Sequence, residues 1–134
     1  MSTSHEPTRP GALGTRIERL ASGVLVLWVD GEIDTLTAPT LGTALGSLLD
    51  TPGDGPVAVD LSEVGFLASS GLAVLIRAAH RAESQGRALH LVGGGRAVVR
   101  PLQVTGSDRL FTLHEDLSTV TVAPRPGESS PRAD

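Results

Sequence analysis

The chain reads as a single α/β domain: a mixed, mostly parallel sheet that opens with an N-terminal hairpin and carries helices packed on it. Three observations support this. Apolar segments at 57–61 and 88–92 alternate with amphipathic segments at 38–50 and 70–85, and such alternation implies crossovers between parallel strands. The first two extended segments are separated by little more than Ser22-Gly23, too short for a crossover, so they pair as an antiparallel hairpin. Finally, 37 of the 134 residues are Leu, Ile, Val or Phe, enough apolar surface for one core at this length.

The elements follow in order. Thr15 to Leu20 alternates polar and apolar residues, as a half-buried strand does. VLVLWVDGEI (24–33) reads as a more completely buried strand. Thr37 stands as an N-cap with Ala38 and Pro39 opening a helix, along which Leu41, Ala44, Leu45, Leu48 and Leu49 recur at helical spacing. TPGDGP (51–56) ends that helix, Val57 to Leu61 forms a strand, and Ser62 to Ala68 is the loop after it. Leu72, Leu75, Ile76, Ala79 and Ala82 make the apolar stripe of the 70–85 helix, which Gly86 terminates. Ala88 to Val92 is the next strand, followed by a short helix from Ala97 to Val104, which Pro101 either kinks or restricts to its first turn. Arg109 to His114 gives the last strand, and Asp116 to Val122 suits a terminal helix or an edge strand. The polar, proline-bearing segments 1–11 and 124–134 read as disordered tails around a domain at 12–123.

Several function classes are excluded by what is absent. All eleven basic residues are Arg, and the chain has no Cys. A P-loop lysine, Schiff-base chemistry, disulfides and thiolate metal sites are therefore unavailable. A net charge of −4 and three aromatic residues (Trp28, Phe66, Phe111) argue against a nucleic-acid partner. No apolar run reaches membrane-spanning length, and the N-terminus has no secretory apolar region. The expectation is a cytoplasmic, non-enzymatic domain that needs no metal or cofactor and contacts no membrane.

The remaining chemical motifs are weak. Gly93, Gly94 and Gly95 suggest a phosphate loop, but Val98 stands where a dinucleotide fingerprint needs Gly or Ala, so a plain strand-to-helix turn is preferred. His5, His80, His90 and His114 show no metal-ligand spacing. A serine hydrolase acting through Ser69 would need a nucleophile elbow, and Leu67 occupies its first glycine position. The acidic residues Asp30, Glu32, Asp34 and Asp60 fit turn and helix capping better than acid/base or Mg²⁺ chemistry.

One segment differs in kind. Asp60-Leu61-Ser62, then Val64, Phe66, Ser69, Ser70, Gly71 and Leu72, resembles the STAS domain of bacterial anti-sigma factor antagonists. That family's pattern is an apolar strand, Asp-Leu-Ser, an apolar loop, Asp-Ser-Ser-Gly and an amphipathic helix. GEIDTLTAP (31–39), containing Asp34, is similar to the family's Gly-Glu-Leu-Asp segment, and LFTLHEDL (110–117) is similar to its last strand and turn. The resemblance covers about residues 13–120.

The resemblance implies a phosphorylation site at Ser69, with Ser70 as second choice. It also implies a partner that is both anti-sigma factor and ATP-dependent serine kinase, and a phosphatase that resets the cycle. Asp34, Asp60 and Gly71 would support the motif. Phe66, Ser69 and Ser70, with Arg77 and Arg81 on the following helix, would form the partner-binding surface. The bland alternatives are that Ser69 and Ser70 only cap the helix, that Phe66 belongs to the core and that the arginines are solvated. Ala68 departs from the pattern, standing where the family has Asp, and a slower phosphorylation is the expected consequence. Other STAS-like domains serve lipid-transport or stress-signalling complexes without being phosphorylated, which is the competing reading.

Overall fold

The computed structural model describes residues 11–53 and 55–121. It contains strands β1 (Gly14–Arg19), β2 (Leu25–Ile33), β3 (Val57–Leu67), β4 (Leu89–Val92) and β5 (Thr112–His114). The helices are α1 (Ala38–Asp50), α2 (Ser69–Ser84) and α3 (Gly95–Thr105), with single 3-10 turns at Ser107–Leu110 and Leu117–Thr119. The strands lie in the order β1-β2-β3-β4-β5. β1 and β2 are antiparallel and every other pair is parallel, so the mixed sheet with an opening hairpin is as the sequence predicts. The tails at 1–11 and 124–134 fall, apart from Gly11, outside the described residues, as does His5.

Side-chain alternation sends the strands' residues to two faces. Leu25, Leu27, Val29, Val57, Val59, Leu61, Leu89 and Leu91 share one core with the apolar stripes of α1 and α2 and with Val98 and Leu102 of α3. Val24, Val26, Ala58 and Val92 point to the other face, where they cluster with Val120 under Leu20, Trp28 and Leu117. Both faces of the central strands are thus buried, which is why 24–29 reads as an unbroken apolar run.

Four expectations need correction. Ser62 to Ala68 is not a loop, because β3 continues to Leu67. Trp28 pairs with Asp60 but Asp30 with Glu63, and Gly31 pairs with Val64 but Ile33 with Leu67. Two bulges therefore each place an extra residue in β3, so burial falls on Leu61, Val64 and Leu67, every third position. That spacing disguises a strand as a loop. The last strand is shorter than 109–114: residues up to Leu110 form a 3-10 turn, and Phe111 is buried before β5 begins. Asp116 opens only a single turn, its carboxylate accepting from the Ser118 amide at 2.9 Å, and Val122 lies outside the described residues. α3 begins at Gly95 and runs through Pro101 to Thr105, so the proline does not restrict the helix to its first turn.

The glycines at 93–95 are required by the strand-to-helix turn itself. All three glycines have positive φ, and a Cβ on Gly94 would stand 2.4 Å from Val98 Cγ2. Only glycine fits where the backbone turns this tightly onto its own helix.

Candidate functional site

β2 and β3 are parallel neighbours, so the helices that follow them start side by side at one edge of the sheet. The Ala68 amide donates to the Ile33 carbonyl at 2.8 Å, which fixes the end of β3 against the end of β2. Before α1, the Asp34 carboxylate accepts from the amides of Leu36 and Thr37, both at 2.9 Å. Thr37 occupies the cap position, yet its hydroxyl does not cap the helix. It donates to the Glu32 carbonyl at 2.8 Å and accepts from the Asp34 amide at 2.9 Å, bracing the turn instead. Asp34 is thus a turn-capping residue, as the conservative reading of the acidic group had it.

Asp60 is buried at 6% exposure, and its carboxylate accepts from the Ser62 amide at 2.9 Å. Ser62 lies within the first bulge, so the carboxylate replaces a ladder bond that the extra residue removes. Gly71 is a close-approach glycine: a Cβ there would stand 2.2 Å from Ile33 Cγ2 and 3.0 Å from Leu67 Cδ1. The first turn of α2 is therefore locked onto the ends of both strands.

On that frame the two serines differ sharply. Ala68 is the N-cap of α2, in extended conformation and with no side-chain cap bond. Neither serine caps the helix, contrary to the bland alternative. The first-turn amides have no intrahelical acceptors, and the helix dipole adds partial positive charge beside them. Ser69 is exposed at the first position of the helix, whereas the Ser70 hydroxyl is buried without a hydrogen-bond partner among the described residues.

The segments that lead into α1 and α2 carry exposed apolar side chains. Phe66 is 47% exposed and so is not a core residue. Leu36, in the turn before α1, is 85% exposed. Sequence reasoning missed Leu36, because one Leu between two Thr in a turn carries no periodic signal. Arg77 is exposed on α2 and makes no ion pair among the described residues, while Arg81 pairs with Asp50 at the end of α1. Arg77 follows Ser69 by eight residues on the same helical stripe, about 12 Å along the axis. Among the described residues no group of three acidic, His or Cys side chains could hold a metal.

The chain is similar to several known proteins. The STAS domain family matches residues 18–120. The anti-sigma-F factor antagonist RsfB of Mycobacterium tuberculosis is 37% identical over 105 residues, covering 74% of this chain and 83% of that protein. The crystal structure of an anti-sigma factor antagonist from Mycobacterium paratuberculosis superposes with a TM-score of 0.73 at 34% identity, over 85% of this chain and 95% of that one. The anti-sigma factor antagonist SpoIIAA in its unphosphorylated form shares the fold, with a TM-score of 0.56 at 12% identity over 78% of this chain and 89% of that one. Anti-sigma factor antagonists are non-enzymatic, which removes the hydrolase reading of Ser69. By the match across 18–120 and by these identities, the chain belongs to the STAS domain family.

Proposed function

We propose that this chain is a cytoplasmic anti-sigma factor antagonist. It captures an anti-sigma factor through the surface formed by Leu36, Phe66, Ser69 and the exposed stripe of α2, and phosphorylation of Ser69 turns that capture off. The observation that carries the reading is the exposed Ser69 hydroxyl beside uncapped amides, on a helix start that Gly71 holds rigid. A kinase needs an accessible acceptor. Ser69 offers one, and the buried Ser70 hydroxyl does not.

The physics of the switch follows from the site. A phosphate on Ser69 finds the first-turn amides and helix dipole close by, so the domain accommodates it without unfolding. The same group brings about −1.5 to −2 charges to a surface where Leu36 and Phe66 make apolar contact. Burying that charge against a partner without a compensating cation costs several kcal/mol, so one modification releases the partner. A kinase-type anti-sigma factor and a resetting phosphatase complete the cycle, with no nucleic acid or membrane involved. Ala68 supplies no carboxylate to orient the hydroxyl, so phosphoryl transfer is slower here than in an Ala68→Asp variant.

The test is to incubate the chain with ATP and a kinase-type anti-sigma factor and to weigh the products. Wild type and Ser70→Ala should each gain one phosphoryl group, and Ser69→Ala none. A phosphoryl group retained by Ser69→Ala and lost by Ser70→Ala would move the site by one residue. No transfer to any variant, Ala68→Asp included, with capture intact, would leave a constitutive antagonist and defeat the switch.

A further inference from the structure

Among the described residues, the face of the sheet opposite the helices is closed by Leu20, Trp28 and the turn after β5. Val26, Ala58 and Val92 are fully buried there, and the turn after β5 contributes Leu117 and Val120 to the same cluster. His90 is in register with Ala58 and Thr112, and His114 with Val92, so both imidazoles belong to this face.

The two histidines join the turn to the sheet through a hydrogen-bonded chain. His90 Nδ1 lies 2.8 Å from His114 Nε2, and His114 Nδ1 lies 2.6 Å from Thr119 Oγ1. Thr119 Oγ1 donates to the Asp116 carbonyl at 3.0 Å. In the tautomer that leaves this proton on the carbonyl, Thr119 accepts from His114 Nδ1–H. His114 Nε2 is then an acceptor and His90 Nδ1 must donate. One proton added to the pair keeps a single N–H between the facing nitrogens. A second places N–H groups on both, and the 2.8 Å contact becomes repulsive.

The acidic groups nearby do not remove this constraint. Asp116 is held below the usual carboxylate range by the hydroxyl and amide of Ser118, and in smaller part by His114. Asp60 shares the face but is bound by the Ser62 amide, and Glu115 is exposed beyond β5. Burial, and then the charge of His114, hold His90 below the ordinary imidazole range.

We propose that the His90–His114–Thr119 chain is a proton-sensitive latch: double protonation of the imidazole pair releases the turn at 116–120 and uncovers the apolar strip of Val26, Ala58 and Val92. The sign follows from linkage. A histidine whose value is lower when latched than when free stabilises the latch fully above about pH 6.5. That contribution is lost as pH falls below 6.5 and through the latched value. Between the two values the ratio of latched to open turn drops about tenfold per pH unit.

Amide hydrogen exchange on the full chain tests this, with the Val59 amide in β3 as internal reference and intrinsic rates divided out. Between about pH 8 and about pH 5, protection of the Val120 amide, which donates to the Leu117 carbonyl at 3.0 Å, should fall at least tenfold relative to Val59. His90→Gln removes one titrating group and should flatten that response. Thr119→Val leaves both histidines but cuts their tie to the turn, and should give low Val120 protection already at about pH 8. Should His90→Gln also lose Val59 protection, Thr119→Val decides alone. Unchanged Val120 protection in the acidified wild type, or full protection in Thr119→Val, would overturn the latch.

Discussion

The two faces of this sheet are closed by different means. Three helices seal one face with a continuous aliphatic core, whose helix starts are locked by Gly71 and braced by Asp34. On the other, among the described residues, a smaller cluster lies under Leu20, Trp28 and one turn that two imidazoles and a hydroxyl tie down. On the helical face the polar group of interest, Ser69, is left exposed on a rigid frame. On the second face the polar groups are spent on each other. A rigid frame with an exposed hydroxyl suits recognition, whereas a small cluster held by a hydrogen-bonded chain suits opening and closing, because local stability there rests on few buried contacts.

The comparison can be broken most severely at Gly71. Gly71→Ala drives a Cβ into Ile33 and Leu67 and should destabilise the domain by about 1–3 kcal/mol, read as a lower urea midpoint at unchanged slope. A smaller effect is expected on the binding surface itself. Leu36→Ser or Phe66→Ala should weaken capture of an anti-sigma factor about tenfold, or about 1.4 kcal/mol. For Leu36→Ser the melting temperature should barely move, since the side chain is 85% exposed. Full binding by both variants would relocate the surface. Asp60→Ala deprives the Ser62 amide of its acceptor and should cost about 1 kcal/mol by chemical denaturation. Asp60→Asn, which keeps an acceptor oxygen, should recover most of it. Least of all, Arg77→Glu should reduce capture a few-fold in a titration without changing stability. Arg81→Glu should instead show a stability loss of at most about 1 kcal/mol from the exposed pair with Asp50.

Much of this architecture is legible in the residues, and the exceptions have physical causes. The hairpin, both long amphipathic helices and the parallel order follow from periods of 2 and 3.6 that few other structures produce. β3 beyond Leu61 is not legible, because two bulges turn its alternation into a period of three. Arg109 and Leu110 lead into the apolar Phe111 and read as part of the last strand, but the left-handed Gly106 starts a 3-10 turn that takes them up. Ser69 is identified by its motif, while its difference from Ser70 depends on which side of the first turn faces the sheet. Leu36 and the His90–His114 pair escape pattern reading altogether. The first is a single side chain in a turn, and the second joins residues 24 apart through strand register.

The central claim is that charge on Ser69 controls capture. It is tested most directly by titrating a kinase-type anti-sigma factor with the unmodified chain and with the chain quantitatively phosphorylated on Ser69, at one ionic strength. The account expects tight capture by the unmodified chain and a loss on the order of a thousandfold on phosphorylation, several kcal/mol of binding free energy. Equal affinities for the two forms would contradict it.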